Sequence, residues 1–362
     1  MKIGIDARMI EHSGIGVRLF HICKYFAAHP VPGREIYLFG DPEKLSQYRE
    51  LKDFPVIPYL KKIYSPGEML GHPEMKYMAI LDVPHFNVPL PYIQKCLVTI
   101  HDLTPFVMKE FFPGLSKRIY LQAILRWVKK AKKILTVSQF TKNDLMKYFH
   151  YPEQQIEVSY NGLDTELFYP RDSKEVIEFQ KEYNLQPPYY LAVGIGKGHK
   201  NFQFLLKALK SLWIEEQTQT PLLIAGTGGV LPEFLETQIL GFEKYIHVLP
   251  RIPYEKLPFV YAGAEALLFP SLYEGFGFPL IEAQGVGCPV VSSRSSVMPE
   301  ILNDSALFFN PYDIKSFHTS WKELNYVKYR LIEKGYRNAG RFSWETTCKR
   351  ISEIYTELET KA

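Results

Sequence analysis

The first half of the chain alternates short apolar runs with longer stretches of helical periodicity. Seven apolar runs of strand length predict β-strands: Lys2–Asp6, Glu35–Phe39, Val56–Tyr59, Ala79–Val83, Cys96–Ile100, Lys133–Val137 and Ile156–Tyr160. Apolar positions at helical spacing predict helices between them, around Val17–Ala28, Ser116–Lys130 and Lys142–Phe149. Strands that alternate with helices in this way are typical of a parallel sheet covered on both faces.

The same alternation restarts in the second half. Six further strands are predicted at Tyr189–Val193, Leu222–Ala225, Ile246–Leu249, Ala266–Phe269, Pro289–Ser292 and Ala306–Phe309. Helices are predicted around Phe202–Glu216, Leu231–Gly241, Tyr254–Ala262, Pro279–Gly285 and Ile314–Asn338, and a last amphipathic helix over Trp344–Leu358. The turn-rich segment Asn161–Ser173 is the predicted linker, so the expected parts are an N-terminal domain (1–172), a C-terminal domain (173–342) and a terminal helix (343–362).

Length and composition agree with two globular domains. The chain has 362 residues, too many for one ordinary core, and it is 46% hydrophobic and 23% charged. A net charge of +4 is mild, and we expect no nucleic-acid partner. No signal-peptide pattern or bilayer-spanning apolar run occurs, so a cytoplasmic location is expected. Dispersed cysteines among apolar neighbours favour buried free thiols: Cys23, Cys96, Cys288 and Cys348.

The densest chemical pattern is the segment from Ser271 to Gln284, which joins a predicted strand to a predicted helix. Gly275 and Gly277 lie in its loop, and unpaired backbone N–H groups at a helix start attract phosphate oxygens. Glu274 beside the glycines is placed to reach a sugar next to a bound phosphate, and Glu282 is placed to bond a ribose diol. The alternative is a glycine-rich turn with two solvated glutamates.

A second glycine-rich loop, Ala192–Phe202, opens the second domain between a strand and a helix. Its glycines allow close approach of backbone to oxygen, and the ammonium groups of Lys197 and Lys200 neutralise charge. These features predict a diphosphate-binding loop, with Lys200 the stronger candidate. Judged by itself, such a loop is more often a surface turn.

Polar residues in the first domain follow its predicted strands, where ligands of parallel sheets bind. His101 and Asp102 end the strand Cys96–Ile100, and the same position after other strands gives three further candidates for the cleft: His85, Asn87 and Ser138. Gly14 and Gly16 precede the first helix. Structural roles for all of these residues remain the alternative.

The segment 117–133 carries seven lysines and arginines and no acidic residue. A helix here places Leu121, Ile124 and Val128 on one face and basic side chains opposite. Two interpretations remain open: a solvated basic face, or peripheral docking on anionic lipid, where each basic side chain adds ~1 kcal/mol.

These motifs together resemble a known family. Glu274-x7-Glu282 resembles the Glu-x7-Glu signature of retaining, nucleotide-sugar-dependent GT-B glycosyltransferases, in particular family 4, and Gly287–Ser292 is similar to that family's Pro-Val-Val segment. The Lys200 loop resembles its Val-Gly-x4-Arg/His-Lys-Asn motif, with His199 where many relatives have arginine. His101-Asp102 is similar to an element of mannosyltransferase-like members. The resemblance covers nearly the whole chain and is weakest over residues 40–80, which we interpret as specific to the acceptor.

The resemblance implies a fold and an assignment of residues. The fold is α/β of the GT-B type, with two doubly wound Rossmann-like domains facing a central cleft and a terminal helix that returns to the first domain. His101, Glu274 and Lys200 are the implied catalytic residues, with His101 at the donor sugar and Asp102 orienting its loop or meeting the acceptor. The implied donor-binding residues are Gly14, Gly16, Lys197, Lys200, Arg251, Gly275, Phe276, Gly277, Phe278, Pro279, Leu280 and Glu282.

The implied activity is retaining hexosyl transfer in cell-surface polysaccharide synthesis. The likeness to the mannosyltransferase-like branch of the family favours GDP-mannose as the donor. The implied acceptor is a glycan or a polyprenyl-linked glycan. No Asp-x-Asp motif occurs, so we expect neither a metal nor a cofactor. The alternatives are a UDP- or dTDP-sugar donor, a GT-B nucleotide-sugar epimerase, and an inactive nucleotide-sugar sensor or scaffold.

Overall fold

A computed structural model describes residues 1–112 and 114–359. The chain forms two compact units, one containing residues 1–162 with the segment from Ser343 onward, the other containing residues 163–342. The predicted boundary at residues 172/173 therefore lies inside the second unit. Among the described residues, none of the helices combines the length and the apolar character needed to cross a bilayer.

The first unit is built on a seven-stranded parallel sheet. Its strands are β1 (Lys2–Asp6), β2 (Glu35–Gly40), β3 (Val56–Pro58), β4 (Ile80–Val83), β5 (Cys96–Ile100), β6 (Lys133–Thr136) and β7 (Ile156–Val158), in the order β3-β2-β1-β4-β5-β6-β7. All residues of β4 and β5 are buried, as expected for strands covered on both faces. Its helices are α1 (Ser13–Ala28), α2 (Pro42–Leu45), α3 (Thr104–Val107), α4 (Leu115–Val128) and α5 (Gln139–Phe149).

The second unit repeats the architecture with six parallel strands. They are β8 (Tyr190–Val193), β9 (Leu222–Ala225), β10 (Ile246–Val248), β11 (Ala266–Phe269), β12 (Val290–Ser293) and β13 (Leu307–Phe309), in the order β10-β9-β8-β11-β12-β13. Its helices are α6 (Ser173–Glu182), α7 (Phe202–Ile214), α8 (Glu233–Glu236), α9 (Leu257–Ala262), α10 (Phe278–Gly285), α11 (Met298–Leu302) and α12 (Ile314–Ala339). The predicted strands are thus confirmed, within one or two residues at their ends.

The last helix, α13 (Trp344–Glu359), packs within the first unit, as the family resemblance implies. The Tyr355 hydroxyl donates to Asp82 at 2.5 Å, and the Trp344 ring stacks on His21 with centroids 4.7 Å apart. A Cβ on Gly162 would lie 2.2 Å from the Trp344 backbone nitrogen, so this close approach requires glycine. These contacts fix the chain where it re-enters the first unit.

Several helices differ from the prediction, and the short helices α2, α3 and α11 were not predicted. The helix predicted over Leu231–Gly241 is only α8 and a 3-10 turn at Thr237–Ile239, because two β-branched residues and Gly241 at φ +79° follow α8. The helix α1 begins at Ser13, one turn before the predicted Val17. The unpredicted α6 starts behind a cap in which Asp172 accepts the Lys174 N–H at 2.7 Å, and Glu175 three positions later completes a recognisable start signal.

Candidate functional site

Each sheet reverses its strand order at one point, and each reversal collects candidate residues. In the first sheet the reversal lies between β1 and β4, and in the second between β8 and β11. Ligands of doubly wound sheets bind at such points, outside the carboxyl ends of the strands. We describe the two units separately.

In the second unit, the loops after β8 and β11 are joined by a short ion pair. The Lys200 Nζ lies 2.6 Å from the Glu274 Oε1, and both side chains are partly exposed. The backbone N–H of Leu272 also donates to the His199 carbonyl at 2.8 Å, which ties the two loops together. The structure therefore brings together the cation and the carboxylate that the sequence placed 74 positions apart.

The loop that carries Glu274 leads directly into α10. Gly277 caps the helix at φ +88°, and a Cβ there would lie 2.9 Å from a Leu280 methyl group, so a larger residue would be both strained and crowded. The Glu274 N–H donates to the Ser296 hydroxyl at 3.0 Å, which fixes the loop. No side chain caps α10, whose first N–H groups are the kind that bind phosphate oxygens.

Glu282 lies inside α10 and is buried. Its Oε2 accepts the Tyr261 hydroxyl at 2.8 Å, and its Oε1 lies 3.5 Å from the Tyr254 hydroxyl. Burial raises the pKa of Glu282 to about 7, and both tyrosine hydrogen bonds oppose this rise because they stabilise the charged form. Sequence reasoning missed both tyrosines, although their seven-residue spacing places them on one helical face.

The remaining predicted donor residues of the second unit fall into three groups. Lys197 and Arg251 are exposed, with side chains accessible to an anionic ligand. Gly275, Phe278 and Pro279 belong to the turn before α10 and its first residues. Phe276 and Leu280 are buried: Phe276 packs edge-on against Phe342, and the Leu280 N–H donates to the Gly277 carbonyl at 3.0 Å, so neither side chain is presented to a ligand.

In the first unit, His101 follows β5 and is partly buried. Its Nε2 lies 2.9 Å from the Pro84 carbonyl, which can only accept, so Nε2 carries the proton and Nδ1 is an acceptor. Burial, with a further contribution from the nearby Arg18 charge, lowers the pKa of His101 to about 4. The imidazole is therefore neutral near pH 7. Asp102 accepts the Thr104 N–H at 2.7 Å. Of its two expected roles, orienting the loop or meeting the acceptor, this bond is compatible with the first.

His85 and Asn87 belong to a buried polar network around β1 and β4. The Arg8 guanidinium binds Asp6 through two nitrogens, at 2.9 and 2.6 Å, and Glu68 at 3.0 Å. The Glu68 carboxylate also accepts the Asn87 amide. His85 Nδ1 accepts the Asn87 N–H at 3.0 Å, while its buried Nε2 lies 4.0 Å from Asp6, beyond hydrogen-bonding range.

Sequence reasoning also missed Arg8 and Glu68, which form the buried ion pair of this network. Desolvation raises the pKa of Glu68 to about 7, although Arg8 opposes the rise. The Arg8 guanidinium also stacks on the Tyr59 ring at 4.0 Å. No local pattern marks these residues, because they come from segments far apart in the chain.

Two predicted residues of the first unit, Gly16 and Ser138, have evident structural roles. Gly16 lies in the first turns of α1, where a Cβ would lie 2.2 Å from the Ile10 carbonyl oxygen. Gly14 lies in the first turn of the same helix and is partly buried. Ser138 is fully buried and caps α5 by accepting the Thr141 N–H at 3.1 Å, so its hydroxyl is not presented at a surface.

The basic segment 117–133 overlaps most of α4, whose apolar face packs into the core through Leu121, Ile124 and Val128. Lys130 lies over the ring of Trp127 at 4.1 Å, and this tryptophan is 47% exposed. Two of the other basic residues bond within the unit, Lys132 to the Leu358 carbonyl at 2.6 Å and Lys133 to Glu157 at 3.3 Å. The side chains of Lys117 and Arg118 lie outside the described part of the structure.

Across residues 1–112 and 114–359, no group of three or more His, Cys, Asp or Glu side chains is arranged to hold a metal ion. The four cysteines are buried free thiols. Burial raises the pKa of each thiol, to about 12 for Cys288 and Cys348. None of them is therefore a reactive thiolate near neutral pH.

Comparison with known families gives two matches, one in each unit. Residues 13–167 match the family described as glycosyltransferase family 4, and residues 173–326 match the family described as glycosyl transferases group 1. Together these matches cover most of the chain, including the Lys200, Glu274 and Glu282 motifs.

Similar proteins include two O-antigen enzymes. O-antigen chain mannosyltransferase B from Escherichia coli is 29% identical over 309 residues, 80% of this chain and 79% of that protein. O-antigen chain mannosyltransferase RfbU from Salmonella typhimurium is 29% identical over 242 residues, 66% of this chain and 63% of that protein.

Solved structures with the same fold include two proteins of lower sequence identity. Sucrose-phosphate synthase from Thermosynechococcus elongatus superposes with a TM-score of 0.78 at 19% identity over all of both chains. Anabaena HepE in complex with UDP gives a TM-score of 0.75 at 17% identity over 99% of this chain and 100% of that chain. These two likenesses establish the fold alone.

Proposed function

Because the chain belongs to glycosyltransferase family 4 and has the GT-B fold, we propose that it transfers a mannosyl residue from GDP-mannose to a glycan or lipid-linked glycan. The proposed transfer retains the anomeric configuration, needs no divalent metal and belongs to cell-surface polysaccharide synthesis. The second unit binds the donor, and the first unit binds the acceptor. The observation that carries the proposal is the Lys200–Glu274 pair beside the start of α10.

That arrangement suits a sugar diphosphate. The Lys200 ammonium neutralises the diphosphate, and the first N–H groups of α10 bond its oxygens. Glu274, within 2.6 Å of the same ammonium, then lies where the sugar joins the phosphate and accepts bonds from sugar hydroxyls. Glu282 binds the ribose from within the same helix.

The chemical step breaks the bond between the anomeric carbon and the diphosphate oxygen. The bonding electrons leave with the diphosphate, and positive charge develops on the sugar. Lys200 and the α10 N–H groups stabilise the departing negative charge. The acceptor hydroxyl attacks the anomeric carbon from the face that the diphosphate leaves, and it passes its proton to the leaving phosphate oxygen. The configuration is therefore retained, and Glu274 forms hydrogen bonds but no covalent bond to the sugar.

In the first unit, we assign sugar recognition to His101. Its neutral imidazole has Nδ1 as an acceptor for a sugar hydroxyl, since Nε2–H is engaged by the Pro84 carbonyl. Asp102 holds the loop in which His101 stands. We also propose that Trp127 of α4 and Lys130, just after this helix, contact anionic lipid, because an exposed tryptophan next to an ammonium suits a membrane interface.

The choice of mannose is supported by the two relatives named as mannosyltransferases. A UDP-sugar is the second candidate donor, supported by the UDP complex of Anabaena HepE. Base and sugar are discriminated by a few hydrogen bonds.

The test measures nucleotide binding and sugar transfer together. Thermal stabilisation by GDP, UDP and dTDP is compared at equal concentration, because a ligand that binds only the native state raises its apparent stability. Transfer is then measured from the matching radiolabelled nucleotide sugars to octyl glycosides and to extracted lipid-linked saccharides, with added EDTA to test metal independence. We expect GDP to stabilise most and mannose to be transferred from GDP-mannose.

Different results would overturn different parts of the proposal. Stronger stabilisation by UDP than by GDP would exclude the mannose donor but leave the glycosyltransferase assignment intact. Binding of a nucleotide sugar without transfer, together with epimerised sugar in solution, would instead identify an epimerase. Binding with neither product would favour a sensor.

A further inference from the structure

The Glu282 carboxylate is held by two tyrosines that differ in burial and in bond length. Tyr261 is fully buried, and its hydroxyl donates to Oε2 at 2.8 Å. Tyr254 is 41% exposed, and its hydroxyl lies 3.5 Å from Oε1, at the outer limit of a hydrogen bond. One carboxylate oxygen is therefore firmly bonded, and the other is only loosely engaged.

This asymmetry assigns a function to each tyrosine, provided that Glu282 binds the ribose as proposed above. We propose that Tyr261 is a positioning residue for nucleotide recognition, which fixes Oε2 so that Oε1 is presented to the ribose diol. The ribose hydroxyl then replaces the Tyr254 hydroxyl on Oε1. Fixing one oxygen in advance lowers the entropy lost on binding, and a charged acceptor makes the new hydrogen bond strong.

Exposure explains why Tyr254 is the tyrosine that gives way. Its ring contacts Phe168 edge-on at a centroid distance of 5.8 Å, and much of the rest is open to solvent. Tyr261 is enclosed on all sides, so moving its hydroxyl would leave a buried carboxylate oxygen without its donor. The ribose therefore displaces the weaker bond.

The alternative explanation is that Tyr261 serves only to fill the core. Tyr189 provides a matched control in the same unit, because it is equally buried and its hydroxyl donates to the Val260 carbonyl at 3.0 Å, next to Tyr261 in the chain. Changing either tyrosine to phenylalanine removes one buried hydroxyl. Only the change at Tyr261 removes a partner of Glu282.

The experiment compares wild type with Tyr261→Phe, Tyr254→Phe and Tyr189→Phe by calorimetry. The ligand is GDP or UDP, whichever binds the wild type more tightly, and its dideoxy analogue lacking both ribose hydroxyls. We expect Tyr261→Phe to weaken binding of the natural nucleotide about tenfold, as for one charge-assisted hydrogen bond. Tyr254→Phe should bind equally or up to about threefold more tightly, and Tyr189→Phe should match wild type.

The dideoxy analogue isolates the ribose contribution. If Tyr261 acts through Glu282 on the ribose, wild type and Tyr261→Phe should bind this analogue within about twofold of each other. An equal loss for both ligands would mean that Tyr261 acts through the fold, and this result would overturn the inference. A loss in Tyr254→Phe as large as that in Tyr261→Phe would overturn the asymmetry.

A pH profile supplies a second readout that a core-filling role would not move. Burial raises the pKa of Glu282 to about 7, so binding of the natural nucleotide should strengthen as pH rises from about 6 to 8 and the carboxylate ionises. Tyr261→Phe removes a bond that favours the charged form, so its midpoint should lie at higher pH. The other titratable groups around this cluster are Tyr254, Asp164, Glu255 and Cys288.

The dideoxy analogue carries the same diphosphate and therefore corrects for titration of the phosphate. An unchanged midpoint in Tyr261→Phe would contradict the inference. Failure of both GDP and UDP to bind the wild type would instead overturn the proposed function, so the two failures are distinguishable.

Discussion

The two units use the same sheet topology, and at the reversal of strand order each brings a cation next to a carboxylate. In the second unit, Lys200 and Glu274 keep 21% and 13% of their side chains exposed. In the first unit, Arg8 and Glu68 keep only 6% and 0%. The reversal of strand order thus lies beside an open ion pair in the second unit and beside a buried ion pair in the first.

The loops account for this difference. The loop after β8 is rich in glycine, and a Cβ at Gly194 or Gly196 would meet nothing within 4 Å, so the backbone around Lys200 is open to a ligand. In the first unit, the segment that precedes β4 supplies Glu68 to Arg8, and the Arg8 guanidinium also donates to the Lys61 carbonyl at 3.0 Å. The buried Glu68 carboxylate therefore pairs with the Arg8 guanidinium, which is not accessible to a phosphate.

The comparison separates an anion-binding site from a structural network made of the same chemical groups. Lysine is a flexible point charge that can exchange one anionic partner for another, whereas arginine holds several partners in a fixed plane. The predictions below test this separation, starting with the largest expected effect.

Breaking the buried network should cost the first unit much of its stability. Arg8→Met leaves the carboxylates of Asp6 and Glu68 buried without their cation, which typically costs about 3–5 kcal/mol. Hydrogen exchange followed by mass spectrometry should show faster exchange in peptides of the first unit and unchanged exchange rates in peptides of the second unit. The control is Lys44→Met, which breaks an exposed ion pair with Glu11 and should leave hydrogen exchange close to that of wild type.

A small effect of Arg8→Met would show that the network is not structural. If exchange in the first unit changed no more than in Lys44→Met, the contrast between the two strand reversals would be lost.

Breaking the open pair should instead reduce activity while the fold remains. Lys200→Ala removes one charge-assisted contact of ~1.5–3 kcal/mol, so donor binding measured by calorimetry should weaken by one to two decades. Lys334→Ala, which breaks an exposed pair with Asp304, should leave donor affinity unchanged. A folded Lys200→Ala variant with wild-type donor affinity would contradict the diphosphate-binding role.

The two glutamates of the second unit should separate binding from turnover. Glu282→Gln should weaken nucleoside diphosphate binding about fivefold, because an amide accepts ribose hydroxyls less well than a carboxylate does. Glu274→Gln should reduce kcat with less effect on nucleoside diphosphate affinity, since its proposed partner is the sugar. Equal losses of bare nucleotide affinity in both variants would remove this distinction.

Much of the fold could be predicted from the sequence, because parallel strands buried on both faces leave continuous apolar runs between turns. The open pair was also predictable, since Lys200 and Glu274 each stand in a glycine-rich loop with a local signature. The α8 region was predicted wrongly, because helical periodicity over Leu231–Gly241 outweighed the turn-forming residues there.

The buried network could not be predicted. Arg8, Glu68 and Asn87 meet only after three distant segments fold together, and none of them lies in a motif. Tyr254 and Tyr261 are intermediate: their spacing is visible in the sequence, but their common partner Glu282 belongs to another helix. Interactions set by tertiary packing alone leave no periodic or local signal.

The smallest predicted effect is a pH dependence of the first unit that originates from Glu68. Its folded-state pKa is about 7, above the ordinary value of about 4.3, because desolvation outweighs the attraction of Arg8. As pH rises from about 6 to 8, the unfolded chain has already lost this proton while the folded unit loses it only near 7, so the stabilising contribution declines over that range. Glu68→Gln cannot titrate, and its first unit should lose less stability, on the order of 1 kcal/mol, between the same two pH values. The contribution of Asp82, with a pKa of about 6, also declines as pH rises. The neutral His85, with a pKa of about 4, destabilises the first unit only as pH falls.

The measurement is therefore the difference between wild type and Glu68→Gln in hydrogen exchange of first-unit peptides, with exchange rates corrected for pH and with Glu11→Gln as the exposed control. Parallel pH profiles for wild type and Glu68→Gln would show that Glu68 keeps an ordinary pKa. Burial would then not distinguish the titration of the Arg8–Glu68 pair from that of an exposed ion pair.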